Sequence, residues 1–343
     1  MRQLLNVLYV TSPDAYLAAE GNNIVIQSET NGTVRRPVHI FESVVSFGYR
    51  GASPALMRLC SENGVMLSFV SEYGKFLARV SGRVHGNILL RKAQYRMSDD
   101  EGKSLMPARN IVFAKLLNAR AALRRLVSDY GDKVDKDLVE CAMQRLKQYA
   151  QEVLTVSTLA QVRGIEGEGA RDYFSVFDQL ILFQKDDFYM RGRNRRPPTD
   201  CLNTLLSFLY TLLAHDAESA LETVGLDPYA GFLHRDRPGR ASLALDMVEE
   251  FRTILAERTA LTLINRRQIT AKEFICMENG AVLLEPDARK GVLEAWQKRK
   301  QEEIAHPFLK EKMTIGLLPY AQALLMARFI RGDINEYPPF LWK

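Results

Sequence analysis

The sequence predicts an α+β protein: a small β-domain with one helix, followed by a larger helical domain. Three observations carry this. The first eighty or so residues hold short runs rich in β-branched and aromatic side chains, set between turn signals. One well-capped helix interrupts those runs. From about Gly86 onward, apolar residues recur at helical spacing with charges between them.

Taken in order, the strand runs are "LLNVLYVT", "IVIQS", "PVHIF", "SVVSFG", "VMLSFVS" and "FLARVS". Between them stand Gly21-Asn22-Asn23, Asn31-Gly32 and Tyr73-Gly74, residue types that tolerate turn backbone. The interrupting helix is "SPALMRLCSENG", with Ser53 as N-cap, Pro54 at the first helical position and Gly64 as stop. The domain boundary falls near residues 82 to 100. Beyond it, "NILLRKAQYRM", "IVFAKLLNARAALRRLV", "VECAMQRLKQYAQEVL", "DCLNTLLSFLYTLLAHD" and "SLALDMVEEFRTILAE" read as amphipathic or buried helices. A single hairpin, "FICMENGAVLLE" with its turn at Asn279-Gly280, precedes the last helices "LEAWQKRKQEE" and "YAQALLMARFI".

At 343 residues the chain is long for one core. Hydrophobic residues at 47% against 25% charged fit a globular protein and exclude a disordered one. No apolar run is long enough to cross a bilayer, and the first residues read as a strand ending at a Ser-Pro turn rather than a signal peptide, so no membrane role is expected. Cys60, Cys141, Cys201 and Cys276 are scattered, which argues against a zinc ribbon or a disulfide framework and fits a reducing cytoplasm. The net charge of +5 leans only weakly towards an anionic partner. Position says more: "YMRGRNRRPP" gathers Arg191, Arg193, Arg195 and Arg196, either as a solvated loop or as an arm whose guanidinium groups fork onto phosphates.

Four segments carry possible chemistry. On a helix from Ser242, residues Ser242, Asp246, Glu249 and Thr253 share one stripe, opposite Ala244, Val248, Phe251 and Leu255. That places the acids on a solvated face, unless another segment covers them and adds ligands. "GIEGEGARDYF" is such a segment. Its Glu166 begins a face continued by Ala170, Tyr173, Phe174 and Phe177, and a carboxylate on an apolar face needs a partner or a cation. A helix N-terminus favouring a negative charge at Glu166 is the competing explanation. The glycines Gly164, Gly167 and Gly169 permit close approach of a backbone or ligand. His234 lies just before the acid-bearing helix. One imidazole with two or three carboxylates makes a hard, oxygen-rich site suited to Mg²⁺ or Mn²⁺. In "PPTDCLNTLLSFLYTLL", Asn203, Ser207 and Tyr210 recur at helical spacing, as an internal hydrogen-bonded stripe or as the polar wall of a site.

In this order, "GIEGEGARDYF", "RPPTDCLNTLLSFLYTLL", "GLDPYAGFLH" and "SLALDMVEEFR" resemble the CRISPR-associated spacer-acquisition integrase/endonuclease family, and most its subtype I-C branch. "LLNVLYVTSPDAYL", "SFGYRGASPALMRLC" and "FLARVSGRVHGNILLRKAQYR" extend the similarity over nearly the whole chain. The resemblance implies an N-terminal β-sandwich-like dimerisation domain (residues 1–85), a linker helix region (86–100) and an all-helical catalytic domain (101–343). It implies metal ligands at Glu166, His234 and Glu249, with Asp246 in support. The acids would then face away from the core because the site opens towards a DNA duplex. The "RDRPGRA" insertion departs from a fixed pattern, so Arg235, Arg237 and Arg240 receive no role. The implied partners are prespacer and repeat double-stranded DNA, a second copy of the chain, and a small companion adaptation protein whose dimer sits between two integrase dimers. The implied reaction is attack of a 3′-hydroxyl on a repeat phosphodiester. Arg191, Arg193, Arg195, Arg196, Asn203 and Tyr210 are the candidate DNA contacts, with Arg91, Lys92, Arg96, Arg124 and Arg125 on basic helices. The alternatives are a stand-alone metal-dependent nuclease acting on branched DNA in repair, and a non-catalytic DNA-bending scaffold.

Overall fold

The computed structural model describes residues 6–71, 76–80, 88–194 and 197–342. The chain is mixed α+β, strands first and helices after. The Tyr73-Gly74 turn and both Arg195 and Arg196 lie outside the described residues.

Strands β1 (Asn6–Val10), β5 (Phe41–Phe47), β6 (Met66–Val70) and β7 (Phe76–Val80) form one sheet in the order β1-β5-β6-β7. The first three are parallel and β7 is antiparallel to β6. Strands β2 (Tyr16–Glu20), β3 (Asn23–Ser28) and β4 (Gly32–Pro37) form an antiparallel meander, turned at Gly21 and Gly32 with positive φ at both. Helix α1 (Pro54–Glu62) links β5 to β6, with Ser53 Oγ accepting from Leu56 N and Gly64 in the left-handed region, as the sequence predicts. Two expectations are corrected. β2 and β4 join the strand set, and "PVHIF" is a 3₁₀ turn, Val38–Ile40, leading into β5. Parallel pairing buries the large sheet on both faces. Val44 and Leu67 pack with α1 and the meander through Leu17, Ile24, Leu56 and Leu59. Val7, Val45, Phe47 and Val70 join the core of the helices. Ion pairs fasten the same junction: Arg79 of β7 reaches Glu218 (2.8 Å) and Glu222 (2.6 Å).

The helices are α2 (Ile88–Ser98), α3 (Glu101–Tyr130), α4 (Lys136–Val153), α5 (Leu159–Ser175), α6 (Cys201–Thr223), α7 (Ser242–Phe251), α8 (Arg258–Asn265), α9 (Pro286–Gln301) and α10 (Leu318–Arg331). The predicted hairpin is present as β8 (Phe274–Cys276) and β9 (Val282–Leu284), and a second, unpredicted one pairs β10 (Glu303–Ala305) with β11 (Lys312–Thr314). The region is therefore helical but not wholly so. α3, the longest helix, packs against α4, α5 and α7. The continuous helix expected from Ser242 is broken by a π-helical turn, Arg252–Glu257.

The solvated face expected for α7 is not there. Ser242, Asp246, Glu249 and Glu250 are buried along with every apolar residue of the helix except Leu245. Periodicity located the polar stripe correctly, but a stripe pattern cannot reveal that Lys115 of α3 and the preceding loop cover it.

On the same helix, Glu250 anchors the C-terminal segment. Its carboxylate accepts from Phe340 N (2.7 Å), Gln322 Nε2 (3.0 Å) and Tyr337 Oη (2.5 Å). Burial pushes its pKa up to about 7, against the lowering effect of those three donors. Between the ordinary carboxylate range and pH 7, the folded chain keeps a proton that the unfolded chain releases. Stability contributed by the protonated group is therefore lost as pH rises through that window. Denaturation of wild type and Glu250→Gln at pH 5 and pH 8 should show the variant losing less on going to pH 8, by up to roughly 3 kcal/mol. Equal losses in the two proteins would mean that Glu250 ionises normally.

Candidate active site

Glu166 lies two turns inside α5, whose start is set by a capping box between Thr158 and Gln161. This corrects the helix N-terminus explanation: the dipole acts at Leu159, not at Glu166. Gly169 lies where α5 packs against α3. A Cβ there would sit 2.2 Å from Leu116 Cδ2, so any larger residue requires the Leu116 side chain to shift. The same packing brings Glu166 to Lys115 of α3. Gly164 and Gly167 have nothing within 4 Å of a would-be Cβ, so that side of the helix is open.

The loop before α7 wraps around one carboxylate. Asp246 Oδ2 accepts from Phe232 N (2.7 Å) and Leu233 N (3.0 Å), and Oδ1 accepts from His234 N (2.9 Å). His234 Nδ1 lies 2.6 Å from the same Oδ1. With the proton on Nδ1, the imidazole presents an Nε2 lone pair, the form that ligates metals. Gly231 makes the wrap possible, since a Cβ would meet Ser242 atoms at 2.8 Å and Asp246 Oδ2 at 3.0 Å. Gln94 of α2 braces the loop from outside through Asp227 O (2.7 Å) and Ala230 O (2.9 Å).

Glu249, one turn after Asp246, points to a different set of groups. Lys115 Nζ is 2.7 Å from its Oε2, and Arg252 Nη1 is 3.0 Å from Oε2 and 3.2 Å from Oε1. Lys115 also pairs with Glu166 Oε1, so one ammonium joins both acids. Burial acts to raise the Glu249 carboxyl, but Arg252, Lys115 and His234 outweigh it and hold it well below the usual range. Arg252 in turn lies over the Tyr210 ring (4.4 Å) and near Glu257, which accepts from Tyr210 Oη (2.6 Å) and Tyr173 Oη (2.8 Å). Arg252 is the ordinary i+3 helical neighbour of Glu249, and the π-helical turn begins at it.

The structure thus brings Glu166, His234, Asp246 and Glu249 to one junction of α3, α5, α7 and the 231–234 loop. The remaining predicted contacts sort differently. Asn203 is fully buried and bonded on every side: Arg193 Nη1 donates to its Oδ1, and its Nδ2 donates to Gly192 O (2.9 Å) and Asp200 Oδ2 (2.8 Å). Arg193 stacks on Tyr210 (5.1 Å to the ring centre), so Asn203 and Tyr210 seat the arginine loop on α6 rather than face solvent. Arg191 is exposed and lies over Tyr189. Lys92, Arg96, Arg124 and Arg125 are exposed, whereas Arg91 donates to Gly225 O (3.2 Å). Sequence reasoning missed Lys115, Arg252 and Glu257. The available signal was a lone lysine inside the apolar run "IVFAKLLNA" and an arginine three residues after Glu249.

A donor set of two carboxylates and an imidazole nitrogen suits a hard divalent ion. Among the described residues, no three such side chains converge as they stand to enclose one. Glu166 and Glu249 share the Lys115 ammonium instead. The residues fit the ion by the chemistry of their donors, with Lys115 standing between the two carboxylates.

Residues 8–298 match the family model described as CRISPR associated protein Cas1. The chain belongs to the Cas1 family. Among Cas1 relatives, one from Chlorobaculum tepidum named "CRISPR-associated endonuclease Cas1 1" is 49% identical over 343 residues, covering 100% of both chains. A casposase bound to its integration product has the same fold, with a TM-score of 0.82 at 22% identity over 97% of this chain and 93% of that one. So does part of a Cas6-RT-Cas1–Cas2 complex, at TM-score 0.81 and 22% identity over 99% of this chain and 36% of that longer one. Among the described residues, no helix of this Cas1 protein is long and apolar enough to cross a membrane.

Proposed function

We propose that the chain is a divalent-metal-dependent DNA endonuclease/integrase that inserts foreign DNA fragments as new spacers into a CRISPR array. The observation that carries this is the junction itself, where Glu166, Glu249 and the Asp246-oriented His234 come together between α3, α5 and α7. Glu166, Glu249 and His234 Nε2 would hold Mg²⁺ or Mn²⁺, which when bound supplies charge neutralisation at a phosphodiester and at its leaving oxygen. The protein's own part is positioning. Asp246 fixes the imidazole tautomer, and Arg252 keeps Glu249 ionised and aimed. In the reaction, a 3′-hydroxyl loses its proton and forms a new P–O bond to the repeat phosphorus, while the P–O bond to the repeat strand's own 3′-oxygen breaks.

Further parts of the proposal rest on the sequence motifs and on the relatives. The chain is closest in character to subtype I-C, acts inside the cell, and works as a homodimer through its β-domain, where β1, β7 and β4 stand at the edges of their sheets. It joins prespacer to repeat DNA together with a small companion protein, two integrase dimers flanking one companion dimer. A Cas1–Cas2 complex among the structural relatives supports that companion.

The test is joining of a labelled prespacer into a repeat-bearing plasmid with companion protein present. Product should require Mg²⁺ or Mn²⁺ and a 3′-hydroxyl, and a dideoxy end should give none. Light scattering on the integrase alone, without companion or DNA, should give twice the chain mass. Cutting of branched DNA without joining would favour a repair nuclease, and binding and bending unaffected by EDTA, with no product, a scaffold.

A further inference from the structure

Lys115 is the one component of the site that neither the ligand set nor the reaction uses. It projects from the middle of α3, its side chain only 11% exposed, and its ammonium contacts Glu166 and Glu249 together, 2.7 Å from the latter. A lysine buried to this degree needs opposite charge, and two carboxylates this close need a cation between them. Each therefore satisfies the other. A divalent ion would bind the same carboxylate oxygens at roughly 2.0–2.2 Å. An ammonium seated between the two carboxylates competes with the ion for their oxygens, because two cations on one pair of acids repel each other. Arg252 does not compete in this way. It approaches Glu249 from the side of Tyr210 and Glu257, and it makes no contact with Glu166.

We infer that Lys115 is the built-in counter-cation of the metal-free site, holding Glu166 and Glu249 together until a divalent ion displaces it. The ion enters by exchange rather than into a vacant cage. Two consequences follow. The metal-free protein keeps its acids paired and stays folded without metal. Intrinsic affinity for the ion is lowered by the work of expelling the lysine, and that opposition sharpens the site's requirement for a doubly charged ion.

This rests on Glu166 and Glu249 being metal ligands, so the experiment reads metal binding and stability rather than activity. Mn²⁺ binding is measured by calorimetry on full-length wild type, Lys115→Met, Lys115→Arg and Glu166→Gln, with thermal unfolding of each in EDTA and in Mn²⁺. Lys115→Met should bind Mn²⁺ at least about tenfold more tightly, the size of effect a neighbouring unit charge has on a carboxylate's proton affinity. It should unfold at lower temperature than wild type in EDTA and regain that loss in Mn²⁺. Lys115→Arg should keep the metal-free stability and gain no affinity. Should Lys115→Met fold poorly, Lys115→Met/Glu166→Gln removes the stranded pair and should recover the melting temperature in EDTA. Unchanged or weaker Mn²⁺ binding by Lys115→Met, with wild-type binding abolished in Glu166→Gln, would overturn the exchange while leaving the ligand assignment intact. Wild-type binding that Glu166→Gln does not weaken would overturn both.

Discussion

Glu249→Gln is expected to abolish joining of a 3′-end into repeat DNA, and Glu166→Gln and His234→Ala are expected to do the same. The loss should exceed the roughly 10–100-fold typical of removing a partner outside the ligand set. Phosphoryl transfer depends mainly on neutralising charge at phosphorus, and a ligand supplies both charge and geometry to that end. The Glu249 variant carries a structural cost as well. Its carboxylate is the counterion of Lys115 and Arg252 at 2.7 Å and 3.0 Å, and it is only about one-tenth exposed. Removing one partner of a buried ion pair costs on the order of 3–5 kcal/mol, although the amide retains a hydrogen-bond acceptor and Glu166 and Glu257 still face the two cations. Circular dichroism and a melting curve are therefore needed beside the joining assay. A folded Glu249→Gln protein without joining supports the assignment, and one with full joining places the metal site elsewhere.

How much of this was legible beforehand depends on the kind of signal. The strands of the large sheet and α1 announce themselves through β-branched runs, a Ser-Pro cap and a stop glycine, all local features. β2 and β4 do not, because "YLAAE" and "GTVRRP" are poor in strand-forming residues and owe their pairing to turns at Gly21 and Gly32. The stripe of Asp246 and Glu249 was visible as spacing on a helix. Its burial was not, because it depends on the loop that wraps Asp246 and, for Glu249, on Lys115 more than a hundred residues away. The π-helical turn at Arg252–Glu257 has no periodic signature, so the placing of Glu257 beside Arg252 and the two tyrosines could not be read from spacing. The residues of the candidate site were thus readable one by one, while the charges that hold them in place were not.

Asp246 provides the complementary test, since it sits one turn from Glu249 and also carries a carboxylate. Its two oxygens accept three backbone N–H groups and the His234 ring, which occupies their lone pairs and leaves none directed at an ion. Its expected role is therefore to hold His234 rather than to bind metal. Asp246→Asn replaces one acceptor oxygen by an N–H₂ group. Facing His234 Nδ1, that group favours the tautomer with the proton on Nε2, and the lone pair needed for ligation is lost, as when a supporting aspartate beside a catalytic histidine becomes an amide. Joining should fall by roughly 10–100-fold and recover in part at high Mn²⁺, where mass action offsets the tautomer cost. Asp246→Ala should do worse than lose activity. It strands three buried backbone donors, each at about 1–3 kcal/mol, and the 231–234 loop should detach from α7. Gly231→Ala reaches the same end from the loop side, because its methyl would lie 3.0 Å from Asp246 Oδ2 and 2.8 Å from Ser242. A titration of joining rate against Mn²⁺ separates these cases. Partial rescue of Asp246→Asn with none for Glu249→Gln is the expected pattern. If Glu249→Gln keeps full activity while Asp246→Asn loses it beyond rescue, the two acids have exchanged roles and Asp246 is the ligand.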